Sequence, residues 1–342
     1  ATYEHEIGHI DLARWADVAL LAPSTADLIG RLAGGLADDL LTTVILATTA
    51  PVVVAPSMNT QMWRHALVQR NLETLRREAG YHVVDPDAGE LACKEVGPGR
   101  LPDAPFLLDA VDRAVGPARL AGKRVIVTAG PTREHIDPAR FISNPSSGRM
   151  GYAVARAAAI LGAEVVLVSG PTNLDAPAGV RLIDVVDARQ MHRAVMETAA
   201  EVDFICKAAA VCDFRPREST QKKVSKQNLD QALELERNPD ILAELGEMYG
   251  RSDDGPYLIG FAAESHDVVE RARKKRERKK AHMIVANQIG GEDSAFGAER
   301  SKVHIIAEGL EREVGPAPKE EIAFEIWEAA VDERQDYTVS RG

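Results

Sequence analysis

Residues 124–129, RVIVTA, lead through GPTREHIDPARFISNPSS (130–147) into GRMGYAVARAAAIL (148–161), and EVVLVS follows at 164–169. The two end runs are short, β-branched and apolar. Between them lies an alanine-rich segment with helical periodicity, so the unit reads as strand, crossover helix and parallel strand. The same alternation continues with a helix over 187–200, a strand over 203–211, a helix over 239–249, a strand over 257–263, a helix over 266–281 and a strand over 283–286. Parallel strands joined by crossover helices define the doubly wound α/β class. Upstream, ADVALLAP (16–23) and PVVVAP (51–56) are apolar runs ended by proline. The Ala/Leu-rich stretch 24–49 between them reads as helix, TQMWRHALVQRNLETLRREAG (60–80) as a second helix, and HVVD (82–85) as a further strand. The punctuated segment AVGPARLAG (114–122) separates the two series. Two doubly wound parallel-sheet domains follow, 1–118 and 119–342, and 342 residues suffice for both cores.

A composition of 45% hydrophobic and 27% charged residues fits core-forming domains. No apolar run nears the roughly 20 residues of a bilayer span, so a membrane partner is not expected. Forty-one basic against 52 acidic residues give a net charge of −11 and a pI near 5.4, which disfavours nucleic acid as a partner. Cys93, Cys206 and Cys212 form neither a CxxC motif nor a Cys/His cluster, which suits a cytoplasmic protein without a disulfide framework or structural zinc. The chain opens Ala-Thr-Tyr and runs almost at once into a patterned segment, the mark of a fragment.

Several segments carry candidate chemistry. The loop before Ser146-Ser147-Gly148 opens a helix whose free N–H groups make an anion site, with Arg133, Arg140 and Arg149 nearby; a capped helix after a long loop is the plain alternative. In RARKKRERKK (271–280), Arg271, Lys275 and Lys279 share one helical face, either solvated or, at the carboxyl edge of the sheet, facing a triphosphate. The polar stretch 215–237 reads as a flap in which Lys222, Lys223 and Lys226 supply movable charge or merely solubility. Asn59, in APSMNTQMW (55–63), orients a substrate carboxylate or caps a helix. Cys93, in GELACKEVGPGR (89–100), suits a mobile lid with a reactive thiol. His9, in GHIDL, is an acid/base or a surface residue. The tail after about Glu333 reads as frayed. A nicotinamide site lacks its GxGxxG fingerprint.

Taken together, these motifs carry a resemblance. GHIDLARWAD, APSMNTQMW and LACKEVGPGR occur in the order found in flavin-dependent phosphopantothenoylcysteine decarboxylases. VTAGPTRE, DPARFISNPSSGRMG, AAAVCDF, KKVSKQ, NPDIL and GFAAES resemble the phosphopantothenate–cysteine ligases, and the fused order is that of the bifunctional family of coenzyme A biosynthesis. The resemblance implies 4'-phosphopantothenate, L-cysteine and CTP as substrates, with Mg²⁺. The carboxylate is activated as an acyl-cytidylate with loss of pyrophosphate, and the cysteine amine then displaces CMP; oxidative decarboxylation with FMN follows. By motif, Lys207, Ala208, Ala209, Asp213, Lys223, Pro239, Asp240, Ile241, Leu242, Phe261, Lys275 and Lys279 correspond to the CTP site, and Asn144 to the residue that converts the acyl-cytidylate. His9, Asn59 and Cys93 correspond to the decarboxylase residues, with Ser24, Thr25 and Thr42 left to touch flavin.

The family also implies a homo-oligomer, with ligase dimers and trimeric decarboxylase units. A non-catalytic binding module of the same fold is the competing expectation. The sequence departs from the family pattern at Lys94 (usually Gly), Leu101 (usually Met), Pro145 and Ser225 (both commonly basic). It also lacks the Gly-rich flavin segment before His9. A decarboxylase half short of its first strand and helix, holding FMN weakly, is therefore expected.

Overall fold

A computed structural model describes residues 8–90, 96–223, 232–250, 255–288 and 300–339. The chain divides into two compact units, Ala1–Ala118 and Arg119–Gly342.

In the first unit β1 (Ala19–Ser24), β2 (Val52–Pro56) and β3 (His82–Val83) form a parallel sheet in that order. Val52, Val53, Val54 and Ala55 are all buried, as a strand covered on both faces requires. Helices α1 (Gly8–Trp15), α2 (Ala26–Ala33), α3 (Leu40–Ala47), α4 (Thr60–Arg64), α5 (Ala66–Arg77) and α6 (Ala104–Val115) accompany it. The two long helices expected here are each broken in two. Gly34 and Gly35 stop α2, and Asp39 restarts the chain by accepting from Thr42 N at 2.8 Å in a capping box. His65 adopts an extended conformation and caps α5 through Nδ1, which accepts from Leu67 N. A hairpin of β4 (Asp87–Glu90) and β5 (Val96–Arg100) completes the unit. Its second strand lies against the Asn59 turn: Met58 N donates to Gly99 O at 3.0 Å, and a Cβ on Gly99 would sit 2.1 Å from Met58 O.

The second unit contains β6 (Arg124–Ala129), β7 (Arg133–Asp137), β8 (Arg140–Ser143), β9 (Glu164–Ser169), β10 (Val180–Asp184), β11 (Phe204–Lys207), β12 (Phe214–Pro216), β13 (Leu235–Arg237), β14 (Tyr257–Glu264), β15 (Met283–Gln288), β16 (Arg300–Ile306) and β17 (Glu311–Pro318). Its helices are α7 (Arg149–Ile160), α8 (Ala188–Thr198), α9 (Ile241–Tyr249), α10 (Val268–Arg278) and α11 (Lys319–Val339). Among the described residues the main sheet has eight strands in the order β10-β9-β6-β11-β14-β15-β16-β17. Its first six are parallel in the doubly wound manner, and β16 and β17 extend it antiparallel. Ile126, Val127, Ile205, Leu258, Ile259, Ile284 and Val285 form the fully buried centre.

Two expectations need correction here, and a third segment gains detail. The strand read over 203–211 stops at Lys207. Beyond it the chain turns to pair with the loop after β6, where Ala210 N donates to Gly130 O, Thr132 N to Ala210 O, and Cys212 N to Thr132 Oγ1. The tail is not frayed at Glu333, because α11 runs on to Val339. Arg334 holds it by lying 4.8 Å over the Phe204 ring and donating to Asp203 O. The polar excursion 215–237 begins and ends in an antiparallel ribbon, β12 with β13.

Trp327 of α11 is fully buried, sits edge-on to Phe204 at 5.7 Å and donates from Nε1 to Val154 O at 2.8 Å. Trp327→Ala is expected to destabilise this unit by about 3–5 kcal/mol, read as a lower urea midpoint in far-UV circular dichroism.

Candidate active site

Doubly wound sheets bind ligands beyond the carboxyl ends of their strands. In the second unit that edge holds two adjoining cavities. The first, about 280 Å³, is lined by Lys207 from the end of β11, Asp213 before β12, Arg237 through Leu242 at the start of α9, Phe261 of β14, and Lys275, Arg278 and Lys279 of α10. The second, about 540 Å³, is lined by Asn144 through Gly151, Ala208 through Val211, the end of β14, Asn287, Ser301, Val303 and Lys319. Ala209, Val211, Asp213, Phe261 and Lys275 belong to both.

The electrostatics of the first cavity follow from burial. Lys207 Nζ is buried with no hydrogen-bond partner, and desolvation pushes its ammonium down to about 7. Lys275 donates to Phe261 O at 2.8 Å and lies below the usual lysine range, chiefly through burial. Lys279 pairs with Asp240 and is also lowered by burial, with Asp213 opposing the shift. Such a cluster is favoured only when an anion arrives. The local fold places each cation. Lys275 and Lys279 lie one turn apart on α10, whereas Arg271 on the same row pairs with Glu264 and lines neither cavity. Asn238 donates from Nδ2 to Cys212 O at 2.9 Å and from its backbone to Asp213 O, which seats the Pro239–Leu242 turn beside Asp213. Arg215 secures that turn by donating to Asn238 Oδ1 at 3.0 Å.

In the second cavity Asn144 donates from Nδ2 to Val211 O at 3.1 Å. The helix start expected at Ser146-Ser147-Gly148 is present: Gly148, at φ 77°, is the N-cap of α7 and makes no side-chain cap, and residues Ser146 to Gly151 line the cavity. Of the three arginines expected there, Arg149 lines the cavity. Arg133 stacks on Phe141 and Arg140 pairs with Asp137.

Most of the residues expected at a nucleotide site thus meet. Lys207, Ala209, Asp213, Pro239, Asp240, Ile241, Leu242, Phe261, Lys275 and Lys279 surround the first cavity, and Ala208 and Asn144 the second. Lys223 does not join them: it is exposed and lines neither cavity. Lys226 and Ser225 lie outside the described residues. Arg237, Asn238, Arg278, Asn287, Ser301 and Lys319 were missed, although the Asn-Pro dipeptide at 238–239 marks a turn. Cys206 and Cys212 are buried, and burial pushes both thiols up.

In the first unit Asn59 caps α4, accepting from Gln61 N at 2.8 Å, and His9 lies on α1. Cys93 and Lys94 lie outside the described residues. Ser24 is buried and donates to Leu21 O, while Thr42 is buried and donates to Asp39 Oδ1 at 2.8 Å, so neither hydroxyl offers a proton to a flavin. Thr25 fits better. It is exposed at the carboxyl end of β1, its Oγ1 accepts from Leu28 N, and its proton stays available. Among the described residues no three His, Cys, Asp or Glu side chains preassemble as a metal site, and no helix is long and apolar enough to cross a membrane. Asp213 and Asp240 suit a magnesium ion bound mainly through substrate phosphates.

This fold and site define a two-unit α/β enzyme. Residues 1–116 match the flavoprotein family, and residues 120–333 match the DNA/pantothenate metabolism flavoprotein C-terminal domain. The chain is 48% identical over 297 residues to the coenzyme A biosynthesis bifunctional protein CoaBC of Vibrio cholerae, covering 86% of this chain and 73% of that protein. It is 45% identical over 325 residues to its Bacillus subtilis counterpart, covering 94% and 79%. The crystal structure of the C-terminal domain of a coenzyme A biosynthesis bifunctional protein CoaBC matches with 42% identity and a TM-score of 0.54, over 64% of this chain and 99% of that one. The chain belongs to this bifunctional family of coenzyme A biosynthesis, with a flavoprotein decarboxylase unit followed by a ligase unit. The flavoprotein match begins at residue 1, so the expectation of a missing first strand and helix gains no support.

Proposed function

We propose that the second unit ligates L-cysteine to 4'-phosphopantothenate with CTP. The observation that carries this is the convergence of Lys207, Lys275, Lys279 and Asp213 on one cavity that shares a wall with the Asn144 cavity. A carboxylate is a poor electrophile, and transfer to the α-phosphorus of CTP gives a mixed anhydride with CMP as leaving group. The three lysines stabilise the charge that builds as pyrophosphate departs, and Asp213 and Asp240 are the residues that would hold Mg²⁺, which would supply further neutralisation of phosphate charge. Phosphopantothenate occupies the second cavity with its carboxylate toward the shared wall. Asn144, beside Val211, steadies the acyl group while the cysteine amine attacks and CMP leaves. The role of Lys223 as flap charge rests on its motif alone.

The first unit then decarboxylates phosphopantothenoylcysteine. FMN supplies reversible two-electron chemistry when bound there. Thr25 and the Asn59 turn border that site, His9 serves proton transfer, and Cys93 protonates in the closing reduction. Exposed Trp15, Leu40 and Leu46 on this unit support a homo-oligomer. A purely structural module would have no use for a buried, unpartnered lysine such as Lys207.

Incubation with 4'-phosphopantothenate, cysteine, Mg²⁺ and each nucleoside triphosphate in turn tests the ligase. CMP and product of the ligated mass with CTP alone are expected. Equal turnover with ATP would remove the cytidine assignment.

A further inference from the structure

Bond exchange between a nucleotide held in the first cavity and an acyl group held in the second must take place at their common wall. Of the described residues that line both cavities, Asp213 and Lys275 alone are titratable. Lys275 is held differently from its neighbours on α10. Lys279, one turn on, pairs with Asp240, and Arg271, one turn back, pairs with Glu264. Lys275 has no such ion pair among the described residues, and its Nζ donates to a neutral partner, Phe261 O, at 2.8 Å. Burial holds it below the usual lysine range; Arg278 adds to this, while Glu264 and Asp213 oppose it from beyond pairing distance. The other titratable groups on the two walls are Lys207, Cys212, Arg237, Lys279 and Asp240 in the first cavity and Arg149 and Lys319 in the second. A triphosphate in the first cavity favours the Lys275 ammonium. Once pyrophosphate has left, less anionic charge offsets the cost of desolvation, and the proton passes to solvent.

We propose that Lys275 is the proton acceptor of the second half-reaction, taking the proton that the attacking cysteine nitrogen must lose as CMP leaves. This rests on the ligase reading and gives one residue of that site a second role. The cysteine amine, entering as the free base, attacks the acyl carbon with its lone pair; the C–N bond forms and leaves a cationic nitrogen and an oxyanion. Neutral Lys275 removes a proton from that nitrogen. The oxyanion re-forms the carbonyl, and the C–O bond to the phosphate breaks with its electron pair going to CMP. The new ammonium then faces the departing phosphate. Phe261 O accepts one N–H of Lys275 and leaves the lone pair of the neutral amine for this transfer. Asp213, the other titratable group on the wall, is the poorer acceptor, because a carboxylate is a much weaker base than an amine.

The test is rapid-quench kinetics on the whole chain, unmodified and as Lys275→Arg and Lys275→Gln. CTP, 4'-phosphopantothenate and Mg²⁺ are mixed first to build acyl-cytidylate, and cysteine is then added. Arginine keeps the charge but does not give up its proton. Lys275→Arg is expected to slow acyl-cytidylate formation several-fold and its conversion by about 10²–10⁴-fold, the range for losing a general base. In the unmodified chain the conversion rate, expressed per free cysteine amine, should climb by about tenfold per pH unit up to the titration of Lys275 and then level off; in Lys275→Gln it should be flat. Equal slowing of the two half-reactions in Lys275→Arg would overturn the assignment. So would a flat profile in the unmodified chain, or a Lys275→Gln profile parallel to it, and this comparison decides the matter if the arginine variant folds poorly. Absence of acyl-cytidylate in the unmodified chain would sink the ligase reading and the proposed base with it, whereas normal formation with an unaltered conversion profile in Lys275→Gln sinks the base alone.

Discussion

Lys207→Gln is expected to cut the nucleotide-dependent first step by about 10²–10³-fold, the range for removing one preorganised charge stabiliser. The ammonium is buried and unpartnered at the end of β11, so its charge is costly in the free protein and is neutralised only when phosphate arrives. Glutamine keeps most of the volume and a donor but none of the charge. The loss should therefore fall on acyl-cytidylate formation, read as pyrophosphate release, and not on folding.

The pH dependence provides a second readout. The folded Lys207 titrates near 7 against an ordinary 10.5, so above about pH 7 it is neutral in the free protein and must take up a proton to hold an anion. CTP affinity should then fall by up to about tenfold per pH unit from neutrality toward pH 9. Stability of the free fold should move the opposite way over that window, because the unfolded chain holds the proton that the folded lysine has lost. Lys275 and Lys279 face the same cavity and are lowered in the same direction, and Asp213 opposes both. Lys207→Gln should accordingly flatten the affinity profile near neutrality most of all. An unchanged profile would assign the titration to α10.

Asn144→Asp is expected to separate the two half-reactions. The asparagine amide donates to Val211 O at the edge of the second cavity. A carboxylate there loses that donor, is repelled by the carbonyl, and places negative charge beside the anhydride as its carbonyl oxygen gains charge under attack by the cysteine amine. Acyl-cytidylate formation should proceed, while its conversion slows by about 10²-fold. Quenched reaction mixtures should show the intermediate by mass. Fast product formation without accumulation would remove Asn144 from this step.

The residues that pack against strands, and those carried by local motifs, were legible in the chain itself. The β-branched runs at 124–129 and 164–169 and the alanine-rich helix between them determined the parallel sheet, because only strands buried on both faces read as continuous apolar runs. Lys275 and Lys279 were legible because helical spacing is local. The broken helices of the first unit were not. Gly34-Gly35 and His65 compete with an apolar pattern that runs through them, and the capping bonds of Asp39 and His65 decide the outcome.

Tertiary structure alone decided which polar groups face a ligand. Lys207 looks like any strand-ending lysine until burial removes its partners. Arg271 shares the row of Lys275, yet Glu264 neutralises it. Ser301 and Lys319 reach the site only because two antiparallel strands extend the sheet past its parallel half, and that extension leaves no periodic signature near either residue. Periodicity and motif spacing are properties of neighbours along the chain. Desolvation and charge convergence depend on neighbours in space, which only the completed sheet and its covering helices bring together.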